Sequence, residues 1–126
     1  ENFQIIYCFS RRTSLPVKKF VKVSANNGSI FFPSKKINPY WILFSISDYL
    51  FVTGDSVSMI SDSLTSGKPT YIVPIKKVKK KIEKFNDTIF KNQFAKIYMG
   101  KLEKWNFNKL SEANNVCKNL KDLLKL

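Results

Sequence analysis

The chain has 126 residues, the size of one domain, and with 44% apolar and 14% aromatic residues it can bury a core, which excludes an intrinsically disordered protein. Its longest apolar stretch, 40–52, is interrupted by polar residues and is too broken for a membrane span. The formal net charge of +13 favours anionic partners, but 20 of the 22 basic residues are Lys and eleven Asn and twelve Ile accompany them, a usage that an AT-rich genome produces in all its proteins.

Five short apolar, β-rich runs predict strands. They are Phe3–Phe9, Ser29–Phe32, Tyr49–Thr53, Thr70–Ile75 and Phe94–Met99. Segments with apolar residues at helical spacing lie between and after them, and predict five helices. These are Leu15–Ser24, Pro39–Ser47, Ser56–Thr65, Val78–Lys91 and Leu110–Leu124.

Strands that alternate with helices predict βαβ units, and therefore an α/β fold with a parallel sheet. We expect residues 1–126 to form a single Rossmann-like, three-layer domain. Its parallel sheet would have about five strands and would be covered by helices on both faces. In such a sheet, ligands bind beyond the carboxyl ends of the strands, where the helix N-termini also point.

The chain contains no His and two well-separated cysteines, Cys8 and Cys117. The lack of His excludes His-based acid–base catalysis, Ser-His and Cys-His dyads, and most zinc sites. Both cysteines lie on apolar patterns, which predicts buried thiols in a reducing compartment. We predict no catalytic residue, no metal site and no cofactor within this chain.

The segment Ser10-Arg11-Arg12-Thr13 contains both Arg residues of the chain and follows the first predicted strand. A guanidinium offers planar, bidentate recognition of phosphate or carboxylate that Lys does not reproduce. Because the chain otherwise uses Lys, this placement favours an anion site. The alternative is a solvated loop in which one Arg pairs with an acidic neighbour.

Gly54-Asp55-Ser56 joins the third predicted strand to a helix. Gly54 permits a close turn, and the backbone N–H groups of Ser56–Ser58 would face an anion. Asp55 would repel a phosphate unless it is turned away, which leaves Ser56 and the amides as the favoured contacts. The alternative is an ordinary helix cap formed by Asp55 or Ser56.

Two further segments carry weaker signals. Asn38-Pro39-Tyr40-Trp41 begins a predicted helix with two aromatic residues, on which a base could stack, although packing in the core is the ordinary role for Trp41. Lys76–Lys84 (KKVKKKIEK) reads as a helix start with a basic, solvated face. Such a face would bind anionic membranes or nucleic acid through charge alone.

Four ordered motifs resemble those of the mitochondrial-fission "elongated mitochondria" family, whose members occur in plants and bacteria and are often labelled nucleoside-diphosphate-sugar epimerases. Val52–Pro69 (VTGDSVSMISDSLTSGKP) resembles the signature VT-x-DS-x-x-M-x-x-E-A-x-x-x-G-K-P. Ser10–Thr13 resembles its SRRT motif and Asn38–Tyr40 its NPY motif. Lys84-Phe85 and Gly100–Glu103 resemble its basic-Phe and G-x-L-E positions. Asp62 stands where the family has Glu, and Ser63 where it has Ala.

The resemblance implies a glycosyltransferase-B-like architecture with two Rossmann-like halves, of which this chain would be the C-terminal half. That half binds the nucleotide diphosphate of a sugar donor, whereas the other half supplies the acceptor site and the usual catalytic base. On this basis we expect the chain to bind a nucleotide-diphosphate sugar, or a similar phosphorylated ligand, and to be inactive alone. An acidic residue at position 62 would hold the ribose hydroxyls, and Asp62 is one methylene shorter than the usual Glu.

The expected ligand contacts form three groups. Arg11 and Arg12 would hold the phosphates within Ser10–Thr13, Ser56 and Ser58 would assist beside Asp55, and Asp62, Asn38 and Tyr40 would lie near the nucleoside. The expected partners are the nucleotide sugar and the missing N-terminal domain, with no specific nucleic acid. Two alternatives remain open: a non-catalytic interaction protein, and a basic surface that docks on an anionic membrane or nucleic acid. The expected location is cytoplasmic, or peripheral to the inner membrane.

Overall fold

A computed structural model describes residues 3–32, 39–103, 105–107 and 109–124. Strands and helices alternate along this part of the chain. In order they are β1 (Ile6–Cys8), α1 (Leu15–Ser24), β2 (Ile30–Phe32), α2 (Tyr40–Ile46), β3 (Leu50–Thr53), α3 (Val57–Thr65), β4 (Thr70–Val73), α4 (Lys80–Lys91), β5 (Lys96–Ile97) and α5 (Glu112–Leu124). Each corresponds to a predicted element, so the α/β assignment is confirmed.

The strands pair in parallel, as predicted, but in two sheets rather than one. β1 pairs with β2, and β3, β4 and β5 form a second sheet in that order. The chain divides correspondingly into two compact units, residues 1–42 and 43–126. The prediction of a single sheet of about five strands is therefore corrected to sheets of two and three strands, and each unit is described by itself.

The unit 43–126 contains the hydrophobic core. β3 and β4 are in register from Leu50 opposite Thr70 to Thr53 opposite Val73, and their alternating side chains point to opposite faces. One face packs against both α3 and α4. Its buried cluster consists of Val52, Ile60, Leu64, Ile72, Ile89 and Ala95. Consecutive parallel strands joined by helices on one face are the usual result of right-handed crossovers.

The opposite face of this sheet is aromatic. Tyr71 on the central strand is only 1% exposed, and its ring stacks on Phe51 with centroids 5.2 Å apart. Tyr98 and Trp105 contact the same ring edge-on, at 5.6 and 5.4 Å. The segment that follows β5 therefore covers part of this face.

The unit 1–42 buries much less. Tyr7 stacks on Phe31 across the β1–β2 pair, with ring centroids 5.1 Å apart. Helix α1 has no buried residue, and its Phe20 is 70% accessible. A two-stranded sheet with one helix offers too little area to cover the apolar residues of this helix.

Of the two cysteine side chains, the structure describes only that of Cys8. Cys8 is half-buried rather than fully buried, and burial raises the pKa of its thiol. The side chain of Cys117 lies outside the described part. Over the described residues, no helix combines the length and the apolar character that crossing a membrane requires.

Candidate functional site

The segment Ser10–Thr13 forms a closed turn between β1 and α1. The backbone N–H of Ser10 donates to Thr13 Oγ1 at 3.1 Å, and the N–H of Thr13 donates to the Ser10 carbonyl at 3.2 Å. The N–H of Arg12 donates to Ser10 Oγ at 3.1 Å. The side chains of Ser10 and Thr13 therefore stabilise the backbone of the turn. The sequence had predicted them only as ligand contacts.

Both Arg side chains lie on the exposed side of this turn, whereas Ser10 and Thr13 are half-buried. Helix α1 begins directly after it, with Ser14 as the N-cap residue and Pro16 in the first turn. Ser14 makes no side-chain cap, and the first turn of α1 contains no acidic residue. The turn therefore presents two guanidinium groups beside a helix start whose own first turn has no acidic residue.

The loop from β3 to α3 follows the second predicted anion segment. Gly54 is buried, and its N–H donates to the carbonyl of Val73 at the end of β4, at 2.9 Å. Asp55 is exposed and Ser56 is buried as the N-cap residue of α3. The Ser56 hydroxyl makes no cap bond, and the first turn of α3 contains no acidic residue. The alternative of an ordinary helix cap is thus not fulfilled by the Ser56 side chain.

Ser58 and Asp62 lie four residues apart on α3, and therefore on the same side of the helix. Ser58 is exposed and Asp62 is half-buried. The adjacent Ser63 is fully buried, but its hydroxyl donates to the carbonyl of Ile60 at 2.7 Å, so the extra polar atom is satisfied. The Ser at this position is compatible with the core because of that bond.

The third predicted segment is described only in part. Asn38 lies outside the described residues, Pro39 is buried and Tyr40, half-buried, begins α2. Trp41 is 63% exposed, so the expected packing of this residue in the core is wrong. Leu43 is the buried residue of α2, because it faces inward where Trp41 does not.

Asn86 on α4 is a residue that the sequence analysis missed. Its Nδ2 donates to the carbonyl of Gly54 at 2.9 Å, and its Oδ1 is buried with no hydrogen-bond partner among the described residues. An unpaired buried acceptor costs on the order of 1–3 kcal/mol. A usable signal was present, since Asn86 lies between Ile82 and Ile89 on the apolar stripe of α4, where a polar residue is unusual.

Two motif residues outside the predicted site have structural partners. Lys68 Nζ donates to the carbonyl of Ser45 in the last turn of α2, at 3.1 Å, where a cation complements the helix end. Glu103 forms an ion pair with Lys96, and the hydrogen bond and charge of Lys96 lower the pKa of its carboxyl group. These contacts connect elements rather than forming a ligand site.

The described residues include no group of three or more His, Cys, Asp or Glu side chains placed to hold a metal ion. An open cavity of about 250 Å³ lies at the amino ends of β1 and β2. Its lining, residues 3–5 and 26–29, contains no charged side chain. This cavity is at the opposite end of the strands from the Ser10–Thr13 turn.

Apart from Asn38 and Tyr40, the predicted residues form two groups in the structure. The first is the turn of Ser10, Arg11, Arg12 and Thr13, in the unit 1–42. The second is the start of α3 with Asp55, Ser56, Ser58 and Asp62, in the unit 43–126. The convergence of the two groups on one ligand remains a prediction.

Comparison with known proteins identifies relatives along almost the whole chain. The family model "Mitochondrial fission ELM1" matches residues 1–124. The uncharacterized protein RP120 of Rickettsia prowazekii is 33% identical over 128 residues, covering 94% of this chain and 36% of that protein. The mitochondrial fission protein ELM1 of Arabidopsis thaliana is 29% identical over 117 residues, covering 84% of this chain and 27% of that protein.

The chain thus spans about a third of the length of these curated relatives. No solved structure matches it. The family model covers the Ser10–Thr13 turn, the loop from β3 to α3 and Glu103 alike. On this match the chain belongs to the mitochondrial fission ELM1 family.

Proposed function

We propose that this chain binds the diphosphate of a nucleotide-linked sugar, as one part of a glycosyltransferase-like protein, and that it has no transfer activity alone. The observation that carries the proposal is the start of α3. Its first-turn amides have neither a side-chain cap from Ser56 nor an acidic neighbour in the first turn. Such an end attracts an anion, because the helix dipole and the first-turn N–H groups favour negative charge and no acidic side chain of that turn supplies it.

The turn at Ser10–Thr13 supports the same ligand class from the other unit. The hydroxyl groups of Ser10 and Thr13 bond the backbone of the turn, so the proposed contacts of Arg11 and Arg12 with a ligand would leave those bonds in place. Charge-assisted hydrogen bonds from Arg contribute about 1.5–3 kcal/mol each, against about 0.3–1 kcal/mol for an exposed helix end. The Arg pair would therefore supply most of the affinity, and α3 would set the position of the phosphates.

The remaining predicted contacts complete the proposal. Asp62 lies one turn beyond Ser58 on the same side of α3, where it would meet the ribose hydroxyls. Asn38 and Tyr40 would lie on the side of the base. The family resemblance supplies this assignment of roles, and the residues of this chain are chemically suited to it.

Calorimetric titration tests the proposal directly. The protein is titrated with uridine, guanosine, adenosine and thymidine diphosphates and with their sugar-linked forms. We expect at least one of them to bind, and the double variant Arg11→Ala/Arg12→Ala to bind it at least about tenfold more weakly. Ser56→Ala should weaken binding less than either single Arg variant.

The matched control removes two positive charges elsewhere. Lys118 and Lys121 are exposed on α5, and Lys118→Ala/Lys121→Ala lowers the net charge by the same amount. Equal affinities in the wild type and the double Arg variant would refute the Arg site. An equal loss in the lysine control would show that binding depends only on net charge.

A second candidate function is a non-catalytic interaction protein, and the exposed apolar surface of α1 favours it. Leu15, Phe20 and Val23 are 72%, 70% and 87% accessible. Scattered apolar residues are normal on a surface, but three large ones on one ten-residue helix suit a protein contact. The full gene product distinguishes the two candidates in cells. Loss of function in Phe20→Asp/Val23→Asp, with function retained in Arg11→Ala/Arg12→Ala, would favour the interaction protein.

A further inference from the structure

A hydrogen bond joins α4 to the loop that begins α3. Asn86 Nδ2 donates to the carbonyl oxygen of Gly54 at 2.9 Å, over a sequence separation of 32 residues. Gly54 also donates its own N–H to the Val73 carbonyl at 2.9 Å. Both polar groups of Gly54 are therefore held, one by β4 and one by α4.

The absence of a side chain at Gly54 leaves room for the close approach of Asn86. A Cβ atom at position 54 would lie 3.2 Å from Asn86 Nδ2 and 3.2 Å from Ile72 Cγ2. It would also lie 3.3 Å from the Val73 carbonyl oxygen. The side chain of Asn86 thus rests directly on the backbone of the loop.

This contact has a consequence for the amides that follow. The peptide unit between Gly54 and Asp55 is planar and trans, so its carbonyl and its N–H point in opposite directions. By fixing the Gly54 carbonyl, Asn86 also fixes the direction of the Asp55 N–H. That amide immediately precedes Ser56 and the uncapped first turn of α3.

The other half of the carboxamide supports a role beyond packing. Oδ1 of Asn86 is buried and has no hydrogen-bond partner among the described residues. A purely structural position on an apolar stripe is served better by an apolar side chain, which leaves no acceptor unpaired. The Nδ2 donor, which bonds the Gly54 carbonyl, is therefore the part of the side chain that explains why an Asn occupies this position.

We propose that Asn86 is a positioning residue for anion binding at the start of α3, which it orients through the Gly54–Asp55 peptide. The proposal deepens the proposed function and rests on it for the identity of the ligand. Asn86 does not touch the phosphate; it holds the amide that does. Loss of one well-aligned hydrogen bond to a charged group weakens binding by about ten- to a hundredfold.

The test uses Asn86→Leu, which keeps the side-chain size and removes the donor. The substitution removes the unpaired buried acceptor Asn86 Oδ1, but it also leaves the Gly54 carbonyl without its donor. Because one unpaired acceptor replaces another, the free energy of unfolding should change little. The matched control is Asn92→Leu at the C-cap of the same helix, because Asn92 Nδ2 also donates to a backbone carbonyl, that of Thr88, at 2.8 Å. Asn86→Ala is the second variant should the Leu variant fail to fold.

Two readouts separate this inference from the proposed function. Titration with inorganic pyrophosphate and with the nucleoside diphosphates should show binding about tenfold or more weaker for Asn86→Leu and unchanged for Asn92→Leu. Amide NMR spectra without ligand should show the Asp55 and Ser56 resonances shifted in Asn86→Leu only.

Wild-type affinity in Asn86→Leu, or unshifted amides, overturns the role of Asn86 and leaves the proposed function standing. A wild-type protein that binds none of these probes overturns the proposed function and the ligand-positioning role together. Shifted amides would then assign Asn86 only the structure of the loop.

Discussion

The hydroxyl of Tyr71 is bonded to the backbone of Glu103 in both directions. It accepts a hydrogen bond from the Glu103 N–H at 2.6 Å and donates to the Glu103 carbonyl at 3.4 Å. Tyr71 lies on the central strand of the three-stranded sheet, and Glu103 lies in the segment after β5. The pair therefore anchors this segment to the middle of the sheet, which gives the Gly100–Glu103 motif a structural role.

Replacement of Tyr71 with Phe should destabilise the protein by about 1–1.5 kcal/mol, since it removes the hydroxyl but retains the buried ring. Urea denaturation followed by circular dichroism measures the difference. Tyr98→Phe is the control, because Tyr98 belongs to the same aromatic cluster but is 41% exposed. Equal effects of the two substitutions would contradict the anchoring role of the Tyr71 hydroxyl.

The pKa of the Glu103 carboxyl group should lie below the ordinary Glu value of about 4.3. Its pKa is lowered by the hydrogen bond from Lys96, then by the charge of Lys96 and, more weakly, by that of Lys101. A lowered folded pKa means that the stabilisation is present above the unfolded pKa and is lost as the pH falls through the folded pKa.

Glu103→Gln should consequently be less stable than the wild type at neutral pH, and the difference should vanish in acid. NMR titration of the carboxyl carbon measures the pKa itself, and Lys96→Met should return it towards the usual value. A titration that is unchanged in Lys96→Met would remove Lys96 as the cause.

Gly54→Ala should destabilise the protein by about 1–3 kcal/mol, because the added methyl group meets atoms that can shift only slightly. Asn86 Nδ2 is one of those atoms, so the effect should be smaller in an Asn86→Ala background. Relief should be partial, since Ile72 and Val73 remain in place. A double-mutant cycle measures the coupling, and strict additivity would show that Gly54 and Asn86 do not restrain each other.

Much of the fold follows from local sequence patterns. The stripe Val57, Ile60 and Leu64 with the Gly67-Lys68-Pro69 stop predicted α3 to within one residue of its observed start and at its observed end. Apolar runs located every strand, since a buried strand needs little besides apolar, β-rich residues. The pairing of those strands depends on contacts between distant residues. For that reason the periodicity did not reveal two sheets in place of one.

The sequence singled out candidate site residues only where the chemistry is carried by rare residue types. Arg11 and Arg12 were identified because they are the only two Arg residues of a Lys-rich chain. Asn86 was missed because its contact with Gly54 spans 32 residues and is made by one of eleven Asn side chains. The exposure of Trp41 was also missed, because an aromatic residue at a helix start has no local feature that decides which way it faces.

The last prediction concerns Lys76–Lys84, which holds six Lys and one Glu. All seven charged residues are exposed, and Lys79–Lys81 surround the start of α4, where positive charge is unfavourable to the helix dipole. Because these charges are solvated, we expect weak binding to polyanions without sequence preference. The measurement is titration of a mixed-sequence oligonucleotide, and of vesicles containing phosphatidylserine, at several salt concentrations.

Affinity for the oligonucleotide should fall steeply as the salt concentration rises, because binding releases counterions. Replacing Lys79, Lys80 and Lys81 with Gln should reduce the slope of log K against log salt by up to about 3 for duplex DNA. Lys118→Gln/Lys121→Gln on α5 should change it less if binding is centred on Lys76–Lys84. Binding that resists salt and prefers one nucleotide sequence would contradict a purely electrostatic surface and would favour a nucleic-acid function. Selective retention on the anionic vesicles would instead favour a peripheral membrane contact.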